Sequence, residues 1–235
     1  MQLKNKVALV TGAGSGIGKE IATLFSQEGA TVILTGRELE PLKKLEQELK
    51  SKKGNAESIA MDVTNREQVQ KTIQDIVKRY KKIDILVNNA GIAKWGSILE
   101  CSYEDFDSHM HINAFGYFNT IKEIAPVMVG QKNGCIINII TSTVKNTKAN
   151  RVVYAASKYA QAGISNAVHE DLKDLGINVT AIYPGKTDTP IHDIPKDDPA
   201  RKKMLDPREV AKVCLQIATL PSDVRQKEAV IEVPS

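Results

Sequence analysis

A chain of 235 residues with 42% hydrophobic content can bury one sizeable core, and its alternation of short apolar runs with amphipathic stretches points to one α/β domain over residues 1–235. The formal net charge of +4 comes from scattered lysines. With four Phe and one Trp there are no aromatics interleaved among them, which argues against a nucleic-acid surface. Three widely spaced cysteines suggest neither a disulfide framework nor a metal site, and no apolar run is long enough to span a bilayer, so a cytoplasmic protein without metal or membrane partner is expected.

Lys6 to Thr11 reads as a buried strand, and it ends at Gly12-Ala-Gly14-Ser15-Gly16-Ile17-Gly18 before an amphipathic helix. Glycines between a strand and a helix allow a tight turn and the approach of a pyrophosphate to free N–H groups at the positive end of the helix dipole. The general pattern G-x-G-x-x-G fails, because Ile17 holds its last position. A second strand from Ala30 to Thr35 is followed by Gly36 and Arg37, where an acid would bind a ribose hydroxyl. Arg37 instead offers a planar charged fork for a 2'-phosphate, which favours NADP(H) and leaves NAD(H) as the alternative; Glu38 could compete for that arginine.

A charged helix from about Glu38 to Lys53 leads to a third strand, Ala56 to Met61, which ends at Asp62-Val63; Asp62 reads on its own as the cap of the next helix. Ile83 to Val87 is a fourth strand, followed by Asn88-Asn89-Ala90-Gly91. From Tyr103 to Val129 apolar residues recur at helical spacing on more than one face, with Asn113 inside this long helix, so the helix is expected to meet another subunit. Gly134 to Thr141 is the fifth strand and delivers the hydroxyls of Thr141 and Ser142. Tyr154-Ala-Ala-Ser-Lys158 then sets a phenol and an ammonium on one helix face, where a positive charge lowers the pKa of a phenol that is to exchange a proton. Gly176 ends this helix. Ile177 to Tyr183 is a sixth strand, Pro184-Gly185 opens a loop, Asp206-Pro-Arg-Glu starts the last helix, and Ala229 to Val233 is a final edge strand.

The spacing Gly12-x-x-x-Gly16-x-Gly18, the run Asn88 to Gly91, Asn113, Thr141-Ser142, Tyr154-x-x-x-Lys158 and Pro184-Gly185 together resemble the short-chain dehydrogenase/reductase family over almost the whole chain. The resemblance implies a Rossmann fold, a doubly wound parallel sheet of order 3-2-1-4-5-6 with one further strand, and helices on both faces. It implies hydride transfer between the nicotinamide and a small carbonyl or alcohol, with Tyr154 as general acid/base and Lys158 lowering its pKa and binding ribose. Asn113 would orient a water for a proton relay. The family's catalytic serine aligns with Thr141, and Ser142 stands beside it, so either hydroxyl is a candidate to hold the carbonyl. Asp62 and Val63 would lie against adenine, Asn89, Ala90 and Gly91 near the nicotinamide ribose, and Thr187 and Thr189 at the carboxamide. Residues 186–206 would form a substrate loop, and a homodimer or homotetramer would be the assembly. Beta-ketoacyl carrier-protein reductases are the nearest subgroup, which makes a 3-oxoacyl carrier-protein substrate one alternative, although Leu175 replaces a basic residue of that subgroup and only Lys132 retains a basic contact. A non-catalytic NADP-binding sensor is the other alternative.

Overall fold

The computed structural model describes residues 1–192, 194–195 and 197–234. Seven strands form one sheet: β1 (Val7–Thr11), β2 (Thr31–Gly36), β3 (Asn55–Ala60), β4 (Ile85–Asn88), β5 (Gly134–Ile139), β6 (Ile177–Pro184) and β7 (Glu228–Ile231). Every pairing is parallel, in the order β3-β2-β1-β4-β5-β6-β7. The order reverses between β1 and β4, where a doubly wound sheet opens its ligand crevice.

Among the described residues seven α-helices connect the strands: α1 (Gly16–Gln27), α2 (Leu39–Ser51), α3 (Arg66–Tyr80), α4 (Tyr103–His109), α5 (Gly116–Gln131), α6 (Val152–Leu172) and α7 (Pro207–Ala218). Side chains alternate across a strand, so the central strands feed two cores. Ala8 and Val10 of β1 pack with Phe25 of α1, Leu45 of α2 and Cys214 of α7, whereas Val7 and Leu9 pack with Ile73 of α3, Ile124 of α5 and Leu172 of α6. Burial on both faces is why these strands read as unbroken apolar runs.

Three local differences from the sequence reading have physical causes. The long helix from Tyr103 is not uniform, since Met110–Phe115 between α4 and α5 is π-helical and contains Asn113. Asp62 does not cap α3. Its carboxylate accepts hydrogen bonds from Thr64 N and Oγ1 at 2.9 and 2.8 Å, and Asn65 caps the helix by accepting from Gln68 N at 3.0 Å. The helix containing Tyr154 ends at Leu172, and a 3₁₀ turn (Lys173–Leu175) carries the chain to Gly176, whose φ of 80° suits glycine. No described helix is long and apolar enough to cross a membrane.

Candidate active site

Because the strands are parallel, the loops after β1, β4, β5 and β6 leave the same edge of the sheet, and between them opens a cleft of about 430 Å³. Its floor is the glycine turn. Gly12 and Gly16 take φ of 64° and 52°, and a Cβ on Gly12 would lie 3.0 Å from Ala90 Cα. A Cβ on Gly18 would be driven into the Gly12 carbonyl oxygen and stand 2.5 Å from Asn89 Nδ2. Gly18 thus packs beneath the turn and lets α1 start close under it.

Thr11, which the sequence reading passed over, ties this turn to the end of β4. Its Oγ1 accepts from the N–H groups of Asn89 and Ala90 at 2.9 and 3.1 Å and donates to Val87 O at 3.3 Å. Asn89 Nδ2 donates in return to the carbonyls of Thr11 and Gly12 at 3.0 and 3.1 Å. At the start of α1, Ser15 makes no capping hydrogen bond and the first turn has no acid, whereas α3, α4 and α7 are capped by their own Asn65, Ser102 and Asp206. The free N–H groups and positive dipole end of α1 face the cleft at Ser15, Gly16 and Ile17, which is a cradle that fits a pyrophosphate.

Arg37 comes after β2, beside this turn. It is exposed and makes no ion pair among the described residues, with Glu38 or any other acid. Arg37, Asp62 and Val63 stand outside the cleft lining. Val63 is fixed by its carbonyl, which accepts from Asn119 Nδ2 at 2.9 Å.

Tyr154, Lys158 and Thr141 meet on the far side of the cleft. Thr141 keeps an extended backbone just past β5 and Ser142 opens a short 3₁₀ turn (Ser142–Val144), and both line the cleft with Tyr154. Burial pushes the Tyr154 pKa up, opposed by the Thr141 hydroxyl and the Arg151 charge. Burial also pushes Lys158 down, to about 7. Lys158 Nζ lies 5.8 Å from the Tyr154 ring centroid, and burial is the largest influence on both groups.

The π-helical segment brings Asn113 to the same place, but its side chain is committed to protein. Nδ2 donates to Ile92 O at 3.0 Å and to Ser157 Oγ at 2.9 Å, and Oδ1 accepts from Ile92 N at 2.8 Å. Fully buried, it clamps the loop after β4 to α6 and has no free N–H with which to hold a relay water.

Past β6, Thr187 and Thr189 are buried in the cleft wall, their hydroxyls donating to Gly185 O and Thr187 O at 2.9 and 3.4 Å. Residues 186–206 are held at their base by Leu205 N to Lys186 O and Asp188 N to Leu205 O, at 2.8 and 2.9 Å. Residues 193 and 196 of this loop lie outside the described residues. Arg201 pairs with Asp188 and donates to the carbonyls of Pro195 and Ile194.

The cleft also contains residues that sequence reasoning missed: Trp95, Arg151, Lys186 and His192. For Arg151 a signal was available, since it precedes Tyr154 by three positions at a helix start. Trp95 and His192 lie in loops without periodicity.

A family model described as short chain dehydrogenase matches residues 6–199. A relative from Thermotoga maritima, 3-oxoacyl-acyl-carrier-protein reductase FabG, is 35% identical over 229 residues, covering 93% of this chain and 92% of its own. An uncharacterized oxidoreductase of Staphylococcus aureus (strain MW2) is 34% identical over 229 residues, covering 97% of each chain. Among solved structures, a metagenomic short-chain oxidoreductase in complex with NADP superposes with a TM-score of 0.87 at 28% identity over 100% of both chains. The alcohol dehydrogenase of the archaeon Thermococcus sibiricus, complexed with 5-hydroxy-NADP, gives 0.90 at 25% identity over 98% of this chain and 99% of its own. With the glycine turn, the doubly wound sheet and the extent of these matches in hand, the chain belongs to the short-chain dehydrogenase family of NAD(P)-dependent oxidoreductases.

Proposed function

We propose that this oxidoreductase uses NADP(H) to interconvert a small carbonyl compound and its alcohol, with Tyr154 as the general acid/base. The observation that carries the reading is the convergence of Tyr154, Lys158 and Thr141 on one cleft whose other wall is an uncapped helix start. When bound, the nicotinamide supplies or accepts the hydride. Tyr154 donates its phenolic proton to the carbonyl oxygen in reduction, and Thr141 holds that oxygen; a positioned general acid is worth ~10²- to 10⁴-fold. Lys158, buried beside the phenol and near Gly91, provides a second proton-exchanging group and a contact for the nicotinamide ribose. Asn113 acts by positioning Ile92 and Ser157.

Gly12, Ser15, Gly16 and Ile17 receive the pyrophosphate over Gly18, while Asp62 and Val63 flank the adenine. Asn89, Ala90, Gly91, Pro184, Gly185, Thr187 and Thr189 enclose the nicotinamide end. Arg37, an exposed cation that makes no ion pair among the described residues, supports NADP over NAD, as do the NADP ligands of two structural relatives. The burial of Lys158 inside a protein with no structural ion pair for it among the described residues speaks against the sensor alternative. The Thermotoga maritima relative supports a 3-oxoacyl thioester as a second substrate reading. The exposed apolar side chains of α4 to α6, including Phe118 and Tyr159, support a homodimer or homotetramer.

The test is a panel of ketones, aldehydes and acyl thioesters assayed with both reduced cofactors, in the unmodified protein and in Tyr154→Phe. Reduction is expected with NADPH at least about tenfold better than with NADH in kcat/KM. Tyr154→Phe should lower turnover at least ~10²-fold with little change in NADPH affinity; retention of most activity would remove Tyr154 from the mechanism.

A further inference from the structure

One cationic cluster in the cleft touches the proton chemistry only through the charge of Arg151 on Tyr154. Arg151 sits half-buried at the N-terminal end of α6, and its Nη1 donates to Thr143 Oγ1 at 3.1 Å. Its guanidinium carbon lies 4.9 Å from the ring centroid of Trp95, and the Tyr154 ring meets the same indole edge-on, also at 4.9 Å. A guanidinium has five N–H donors, and here one is spent on a neutral hydroxyl. Among the described residues no carboxylate pairs with Arg151, and neither Asp nor Glu lines the cleft.

The surroundings add to the positive field. Lys186 lines the same cleft without an ion pair among the described residues, and Asp188, just past it in the chain, pairs with Arg201. The His192 ring stacks on Trp95, 5.9 Å between centroids at 9°. Its pKa is held down by burial and by the charges of Lys186, Arg151 and Arg201. A partly desolvated, unpaired cation is costly unless a counter-charge arrives with a ligand.

The position of the cation relative to the reacting group limits what that ligand can be. Two hydrogen bonds, Thr141 Oγ1 to Thr143 Oγ1 at 3.3 Å and Arg151 Nη1 to Thr143 Oγ1 at 3.1 Å, connect the carbonyl-holding hydroxyl to the guanidinium. With C–C bonds of about 1.5 Å, an anionic group within a few bonds of the carbonyl can reach both, and a carboxylate matches the planar guanidinium fork.

We propose that the substrate of this site is a short oxo acid or the matching hydroxy acid, its carboxylate held by Arg151 against the Trp95 wall. The assignment rests on the hydride-transfer reading above and names the substrate class for it. The carboxylate is a spectator: a hydride adds to the oxo carbon, the Tyr154 proton goes to its oxygen, and the hydroxy acid leaves with the oxidised cofactor. Trp95 supplies an apolar face for the intervening carbons, and Gly96, bridged to Arg151, fixes the indole loop to α6.

Pyruvate and acetoacetate, each compared with its methyl ester, isolate the charge. In the unmodified protein the better acid should exceed its ester at least about tenfold in kcat/KM, and Arg151→Gln should bring that ratio to about one or below, with Arg151→Lys restoring part of it. A second readout does not need turnover. Butyrate added to the complex with NADP⁺ should quench the fluorescence of Trp95, the only tryptophan of the chain, and the quench should vanish in Arg151→Gln. Esters reduced as well as the acids by the unmodified protein would overturn the oxo-acid assignment and leave the reductase reading standing. An equal fall in NADPH affinity in Arg151→Gln would also overturn it, since the arginine would then serve the cofactor. Turnover of no carbonyl in any panel, without a butyrate quench, would defeat both readings. A quench lost in Arg151→Gln, with these two acids not reduced, would support the anion site and reject them as substrates.

Discussion

At the residue scale, the competition between Thr141 and Ser142 turns on one backbone angle. Both line the cleft; Thr141 keeps an extended backbone past β5, which is the basis for proposing it as the residue that holds the carbonyl, and Ser142 starts the next turn. Thr141→Val should lower kcat by ~10²- to 10³-fold, as for loss of a donor to a developing oxyanion, and Ser142→Ala by far less. The kinetics of the two variants on one substrate check this, and a larger loss in Ser142→Ala reverses the assignment. Lys158 carries a separate prediction in pH. Burial depresses its folded pKa from the ordinary lysine value of 10.5 to about 7. Below pH ~7 the lysine is charged in both folded and unfolded states and the full cost of burying the charge applies. Between there and the unfolded value the unfolded chain keeps the proton that the folded chain has lost, so this residue's cost falls as pH rises, by about 1.4 kcal/mol per unit at most. Lys158→Met should therefore melt above the unmodified protein near neutral pH, without cofactor, with the gap closing toward pH ~10. A gap that does not depend on pH would show that the lysine is not desolvated.

At the element scale, the π-helical turn between α4 and α5 is what delivers Asn113 to the loop after β4. An extra residue in a helical turn shifts the register of the residues C-terminal to it, a device frequent at functional sites. The result is a buried amide that joins three elements: the Ile92 loop, the π-helical turn and α6. Asn113→Ala removes three hydrogen bonds in one step and should cost about 2 to 4 kcal/mol in denaturant titration. A cost below about 0.5 kcal/mol would mean the clamp is not built as described. The glycine turn shows the same economy of space. Gly18 is needed because the Gly12 carbonyl and Asn89 occupy the volume of a side chain, which no local pattern announces.

At the scale of the whole molecule, the two cores leave one helical face uncovered. Met110, Ala114, Phe115 and Phe118 line an apolar groove with Ala160 and Ile164 of α6, and Phe118 is 46% exposed. Pairing of this face across a twofold axis would bury it. Sedimentation at micromolar concentration should give a dimer or tetramer, and Phe118→Asp should shift the protein to a smaller species. A monomeric unmodified protein would sink the assembly proposal.

The sequence alone determined the order of strands and helices, the glycine turn and the Tyr154–Lys158 pair, because each rests on periodicity or spacing within a few residues. Strands buried on both faces read as apolar runs; a phenol and an ammonium four apart on a helix must share its face. Tertiary structure decided what depends on residues far apart in the chain. Asn113 and Ile92 meet across 21 positions and Thr11 and Asn89 across 78, so neither clamp could be read locally. Burial, a property of the packed whole, likewise pushes the Tyr154 pKa up and the Lys158 pKa down, which spacing alone does not announce. Arg151 belongs to both accounts: its distance from Tyr154 was legible, but its company with Trp95 and a cleft lining without an acid among the described residues exist only where three loops converge.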